Sequence, residues 1–418
     1  MKYLRAAVYI STALFLSACG GAKTEESVFP GTTYACGQEA EENRFIVQWE
    51  DGRFTVETAN SAEDFRRNFV SENLAFIKHV DHDYRIHLSS QDFLSILDEG
   101  AVESSTMNWG TQNIGAQTLW NQGINGSGVL VGVVDGMVDV GHPQLSGNIA
   151  INTGEIQNNG VDDDGNGFID DYKGVQVNQE TNDPRFNRHG SHVAGIVVAD
   201  SAQGPVSGVA QRAKVIPAQF IANDGGGSIG DAIIALNYVA DRGAKIINMS
   251  WGMESCVAVP NLQSTLQDLN NRGLLLVTAA GNGDSRGVGV NMDTKPAFPS
   301  AYNFANQLNV AASTTSNFLI GFSNYGLRSV HVAAPGVGIY STTPSNQVES
   351  MSGTSMAAPM VAGAAALLWQ AVPSASAAQI KQSLITTVTR PSSPLQVVSG
   401  GVINLPRALT ELRRLTGQ

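Results

Sequence analysis

The sequence predicts an α/β protein built on a doubly wound, mostly parallel sheet and preceded by a small ferredoxin-like α/β unit. Three observations carry this. Six near-continuous apolar runs, Val129–Val134, Val215–Phe220, Lys245–Met249, Leu274–Ala280, Leu308–Ala312 and Val330–Ala334, lack polar alternation, as strands covered on both faces do. Segments with helical apolar stripes, such as Ile229–Ala240 and Asn261–Asn271, lie between several of them. That is the pattern of parallel strands joined by crossover helices. Before residue 108 the pattern changes and the order reads βαββαβ.

The elements follow in chain order. Lys2 and Arg5 precede an apolar stretch, Ala6–Leu16, too short to span a bilayer. It ends in Leu16-Ser17-Ala18-Cys19-Gly20. This resembles a bacterial lipobox, in which Cys19 takes a lipid and becomes the new N-terminus. Residues 1–18 are then a lipoprotein signal peptide and residues 19–42 a polar tether. The expected location is the bacterial cell envelope, with Cys19 as the membrane attachment. In residues 43–107, Phe45–Trp49 reads as a strand and Asn60–Val70 as a helix. Leu74–Val80 and Tyr84–Leu88 read as two strands joined near Asp81–Asp83. A helix follows Ser90, with Phe93, Leu94 and Leu97 on one face, and Ala101–Met107 is a last strand. Residues 108–418 form the large domain. The chain has 418 residues, 42% of them hydrophobic, and a net charge of −12; that balance argues against nucleic acid as a partner. Cys36 and Cys256 have neither the spacing of a disulfide framework nor that of a metal site.

Three short stretches carry chemistry. Asp135 ends an apolar strand, which places it at a carboxyl end, where open α/β sheets bind ligands. His189 and His192 stand at the start of an apolar helix. No third ligand stands at suitable spacing and HExxH is absent, so metal binding is disfavoured there. The helix dipole favours a neutral ring, the form a general base needs. Ser355 begins another helix, where backbone N–H groups without partners can hold developing negative charge. Pro359 and Gly363 lie inside that helix, at positions that normally weaken one.

Val133-Val134-Asp135, the stretch His189-Gly190-Ser191-His192 and Gly353-Thr354-Ser355-Met356-Ala357-Ala358-Pro359 resemble the three signature motifs of subtilisin-like serine proteases. The chain order Asp, His, Ser is that of subtilisin. The resemblance runs from about residue 43 to the C-terminus. It implies a serine endopeptidase that needs no catalytic cofactor. Ser355 would be the nucleophile, His189 the general base and Asp135 the residue that orients it. Asn282, in Ala280-Gly281-Asn282, matches the oxyanion-hole asparagine. Removing one such donor lowers turnover by roughly 10²–10³, an effect established on a relative. His192 matches a position that is not catalytic. One departure stands out: Gly136-Met137 follows Asp135 where the family has a hydroxyl residue and then glycine.

The same resemblance implies binding edges for protein or peptide substrates. Gly225, Gly226 and Gly227 would pair with an extended chain. Ser250, Trp251 and Gly252 would line the other side of the first specificity pocket, with Trp251 reshaping it and Ala297 near its floor. An apolar residue is expected before the cut. Residues 43–107 resemble the family's propeptides, implying an intramolecular inhibitor and self-cleavage around 103–112; alternatively the unit stays attached as a structural domain. The loop from Asn158 to Asp171 independently fits most of an EF-hand, with Asp162, Asp164, Asn166, the Phe168 carbonyl and Asp170 as the expected calcium ligands and Lys173 at the twelfth position. The rival readings are a catalytically silent peptide-binding lipoprotein on the same scaffold, which the Gly136-Met137 departure favours, and an acyl esterase.

Overall fold

A computed structural model describes residues 23–29, 40–88, 107–178, 188–254 and 258–418. The lipobox with Cys19, Cys36, Cys256, the helix expected after Ser90 and nearly all of the strand expected at Ala101–Met107 lie outside the described residues. The strands are β1 Ala40–Trp49, β2 Phe54–Thr58, β3 Ile77–His87, β4 Leu130–Asp135, β5 Val175–Gln176, β6 Lys214–Gln219, β7 Gly226–Ser228 and β8 Ile246–Met249. They continue as β9 Met253–Glu254, β10 Leu275–Ala279, β11 Ala297–Phe298, β12 Gln307–Ser313, β13 Val332–Pro335, β14 Ile339–Thr343 and β15 Gln347–Met351.

All six apolar runs are strands of one parallel sheet, in the order β13-β12-β10-β8-β4-β6-β5. Alternate residues feed opposite faces: Val131, Val133, Leu275 and Val277 enter the core on one side, and Val134, Ile247 and Leu276 the core on the other. Both faces are dry, which is why these strands show no polar alternation. The first face carries the helix His189–Val198 and the helix Thr354–Ala371, packed against each other. The second carries Ile229–Asp241 and Pro260–Asn271. The serine helix tolerates Gly363 because it must approach the loop at Val209: a Cβ on Gly363 would lie 2.6 Å from Val209 Cβ.

Strand order reverses at β4. The chain lays β6 and β5 on one side of it, then β8, β10, β12 and β13 on the other. A crevice opens outside the carboxyl ends at such a point, and Asp135 is the last residue of β4.

The N-terminal unit is an antiparallel sheet in which β1 lies between β2 and β3. It differs in two ways from the elements read in the sequence. β2, after the turn at Gly52, has no counterpart among them, and residues 77–87 form one strand in place of two separated near Asp81–Asp83. The acidic pair looks like a turn but has partners elsewhere. Two residues apart on a strand, the two carboxylates share a face. Asp83 Oδ1 accepts the Gly230 N–H at 2.7 Å and Asp81 Oδ2 accepts the Asn261 N–H at 2.8 Å, so each carboxylate meets the first turn of a large-domain helix. β3 then pairs antiparallel with β7, Ile86 opposite Gly227.

Candidate active site

Asp135 is fully buried, and its Oδ1 accepts two hydrogen bonds of 2.7 Å, from the Gly136 N–H and from His189 Nδ1. A carboxylate only accepts, so Nδ1 carries the proton and Nε2 is left as the basic nitrogen of the neutral ring. Asp135 Oδ2 is buried without a hydrogen-bond partner among the described residues; Gly136, which follows it, has no hydroxyl to offer. His189 opens its helix and is also fully buried. The next residue must be glycine for the two to meet. A Cβ on Gly190 would stand 2.2 Å from the Gly136 carbonyl oxygen.

Ser355 is the second residue of its helix and is 3% exposed. Its Oγ donates to the Ser250 carbonyl at 3.1 Å. Pro359, four residues on, has no N–H, so the Ser355 carbonyl loses its normal helical donor. The Ser250 hydroxyl takes that place at 2.9 Å and itself accepts from Asn248 Nδ2 at 2.9 Å. Two reciprocal bonds therefore tie the start of the serine helix to the end of β8. Asn282, beyond β10, accepts at Oδ1 from the Thr354 N–H at 2.8 Å and from Thr354 Oγ1 at 2.9 Å. The backbone donor fixes which end of the amide is oxygen, and the NH₂ end stands on the other side. Asp135 thus ends β4, while Ser250 and Asn282 lie just beyond the carboxyl ends of the adjacent strands β8 and β10.

The model of the Subtilase family matches residues 126–403, a span holding all of these groups. The chain belongs to the subtilase family. Among its relatives, Subtilisin BL of Lederbergia lenta is 32% identical over 300 residues, covering 72% of this chain and 97% of its own. Thermitase of Thermoactinomyces vulgaris is 32% identical over 307 residues, 73% of this chain and 96% of its own. The Major intracellular serine protease of Bacillus subtilis is 31% identical over 274 residues, 65% and 78%. This subtilase is accordingly a serine endopeptidase, a hydrolase that acts on protein substrates.

The second histidine of the subtilase motif has a structural place. His192 Nε2–H is shared between the carbonyls of Ile339 at 3.0 Å and Glu349 at 3.1 Å, and burial pulls its pKa down to about 3. It is a neutral tie to the β14–β15 hairpin. Of the binding-edge residues, Gly226 and Gly227 lie in β7, and the Gly225 carbonyl accepts the Leu88 N–H at 2.9 Å. The edge expected to receive substrate is covered by the chain's own β3 and the residue after it. Gly252 lies close to the Phe298 carbonyl, and Ala297 is buried in β11, paired with β9. Trp251 packs in the core: it is 3% exposed, its Nε1 donates to the Val134 carbonyl at 2.9 Å, and its ring meets Phe220 edge-on at 5.0 Å.

In the acidic loop, both Asp162 oxygens accept backbone N–H groups, from Asn166 at 3.1 Å and Gly167 at 2.9 Å. The Asp170 oxygens do the same with Asn159 and Gly160. The Phe168 ring meets Tyr238 edge-on. Asn166 donates from Nδ2 to Asp171 at 3.0 Å. Asp164 alone of the five residues read as ligands joins a carboxylate cluster, with Glu155 and Asp171. Glu155 precedes the loop, and Asp171 lies within it away from the motif's ligand positions, so neither was read as a ligand. No helix among the described residues is long and apolar enough to cross a membrane.

Proposed function

We propose that Ser355, His189 and Asp135 are the nucleophile, general base and orienting carboxylate of this endopeptidase, with Asn282 and the Ser355 N–H as oxyanion donors. Ser355 attacks the scissile carbonyl as His189 takes its proton, an acyl-enzyme forms, and water releases it by the same steps. The buried Asp135–His189 hydrogen bond at the switch point of the sheet is the observation that carries this reading. The amide orientation that Thr354 imposes on Asn282 supports its role.

The N-terminal unit is read as a propeptide that inhibits in place and is removed by self-cleavage. Support comes from the pairing of β3 with β7, the edge where substrate would add as a strand, and from the carboxylates of Asp81 and Asp83 on two catalytic-domain helices. The lipobox motif supports synthesis as a lipoprotein anchored through Cys19 in the bacterial envelope, the mature enzyme leaving once the propeptide is cut. A structural cation in the acidic loop region belongs to the same reading.

One comparison tests the whole. A fluorophosphonate probe should label the wild type and leave Ser355→Ala unlabelled, and intact mass with N-terminal sequencing should find the wild type shortened and the variant full length. An unlabelled, unprocessed wild type would favour the silent peptide-binding scaffold. A labelled wild type of the same length as the variant would keep the enzyme and reject self-processing.

A further inference from the structure

The segment between β4 and β5 brings three carboxylates together. Glu155, Asp164 and Asp171 each present an oxygen within 4.8 Å of the others. Gly154 permits the approach: a Cβ there would lie 2.8 Å from Asp164 Cβ. Polar hydrogens cover part of the cluster. Asn152 Nδ2 donates to Asp164 at 2.9 Å and to Asp171 at 2.7 Å, Asn166 Nδ2 donates to Asp171, and Arg242 Nη1 lies 3.4 Å from Asp171. Glu155 is served on one side only. It is 5% exposed, and its Oε1 accepts the Asp163 and Asp164 N–H groups at 2.8 and 3.3 Å. Its Oε2 is buried with no hydrogen-bond partner among the described residues.

A buried carboxylate oxygen without a donor, beside two further carboxylates, is unfavourable unless a cation joins them. The cluster contains only carboxylate oxygens, with no histidine or cysteine. Such a donor set suits hard cations of the calcium class and not zinc. We infer that Glu155, Asp164 and Asp171 form a binding site for a hard divalent cation, which braces this insertion against the helix Ile229–Asp241. The brace runs through Asp171 to Arg242, which caps that helix, and through the Phe168–Tyr238 contact. The inference rests on the reading of this region as a cation site and names different ligands for it: only Asp164 is common to the loop motif. Asp162 and Asp170 shape the backbone that delivers Asp164.

The test uses the full-length Ser355→Ala chain, stripped with chelator, so that no peptidase activity enters the result. Calcium chloride is titrated by calorimetry, and melting is followed with and without the ion. The Ser355→Ala chain should bind calcium and melt higher with it. Adding Glu155→Gln should remove one equivalent, or weaken that site at least roughly tenfold, together with its share of the melting shift. Asp164→Asn should do the same, which guards against a folding defect in the Glu155 variant. Asp170→Asn should keep both binding and shift. Calcium binding lost in Asp170→Asn but kept in Glu155→Gln would reject this ligand set and leave the loop motif standing. Absence of any calcium heat or melting shift in the Ser355→Ala chain would end both.

Discussion

The Ser250 hydroxyl stands where a helix without Pro359 would place a backbone N–H. Removing that hydroxyl deletes the bond that replaces the missing helical N–H at the buried Ser355 carbonyl, so Ser250→Ala should destabilise the enzyme by about 1–3 kcal/mol. It should also lower kcat/KM roughly tenfold, because the turn that positions Ser355, the proposed nucleophile, is released. Pro359→Ala returns an N–H to the same carbonyl and should recover part of the loss. A double-mutant cycle in denaturant midpoint and kcat/KM checks this; an equal cost of Ser250→Ala with proline or alanine at 359 would reject the coupling. The three motif residues were legible in the sequence because each sits in a short run whose neighbours identify it. The role of Ser250 was not, since its partner lies 105 residues away. The same holds for Glu155, which no loop motif includes.

Among the elements, the histidine helix depends on Gly190. An alanine there pushes its Cβ into the Gly136 carbonyl, and the helix must move away from β4. Gly190→Ala should therefore lengthen the Asp135–His189 hydrogen bond and lower kcat/KM by roughly a hundredfold or more, the scale of an ångström misplacement. The downfield proton resonance of His189 Nδ1–H should shift or vanish in the variant; an unchanged resonance with unchanged activity would refute the argument. Strands β4, β6, β8, β10, β12 and β13 were readable because burial on both faces removes polar alternation. β2 and the β14–β15 hairpin were missed because strands of only five residues carry a weak signal. β3 was divided because a polar pair within a strand resembles a turn when the helices it meets are unknown.

For the molecule as a whole, the docking of the N-terminal unit turns on Asp83. Burial pushes its carboxyl up to about 7, outweighing Arg44 and the Gly230 N–H, which pull it down. An undocked aspartate titrates near its usual value of about 4. Between those values the docked form binds a proton that the undocked form does not, so docking is strongest at low pH and weakens as pH rises toward 7. In full-length Ser355→Ala, hydrogen exchange across β1, β3 and the start of the helix Ile229–Asp241 should quicken from about pH 4 to about pH 7 beyond the intrinsic rate and level off above it. Asp83→Asn, which cannot ionise, should flatten the dependence. The same slope in both proteins would show that another group sets it.

The sequence by itself determined the doubly wound α/β class, the positions of the main strands and the motifs that place this chain among the subtilases. Those properties are local: apolar periodicity and short motifs record what each segment buries. The tertiary structure alone decided which distant groups meet. Strand order set Asp135, Ser250 and Asn282 side by side, β3 came to cover the edge at β7, and Glu155 was folded onto Asp164. Contacts of this kind depend on register and close approach between segments far apart in the chain, which no local pattern encodes.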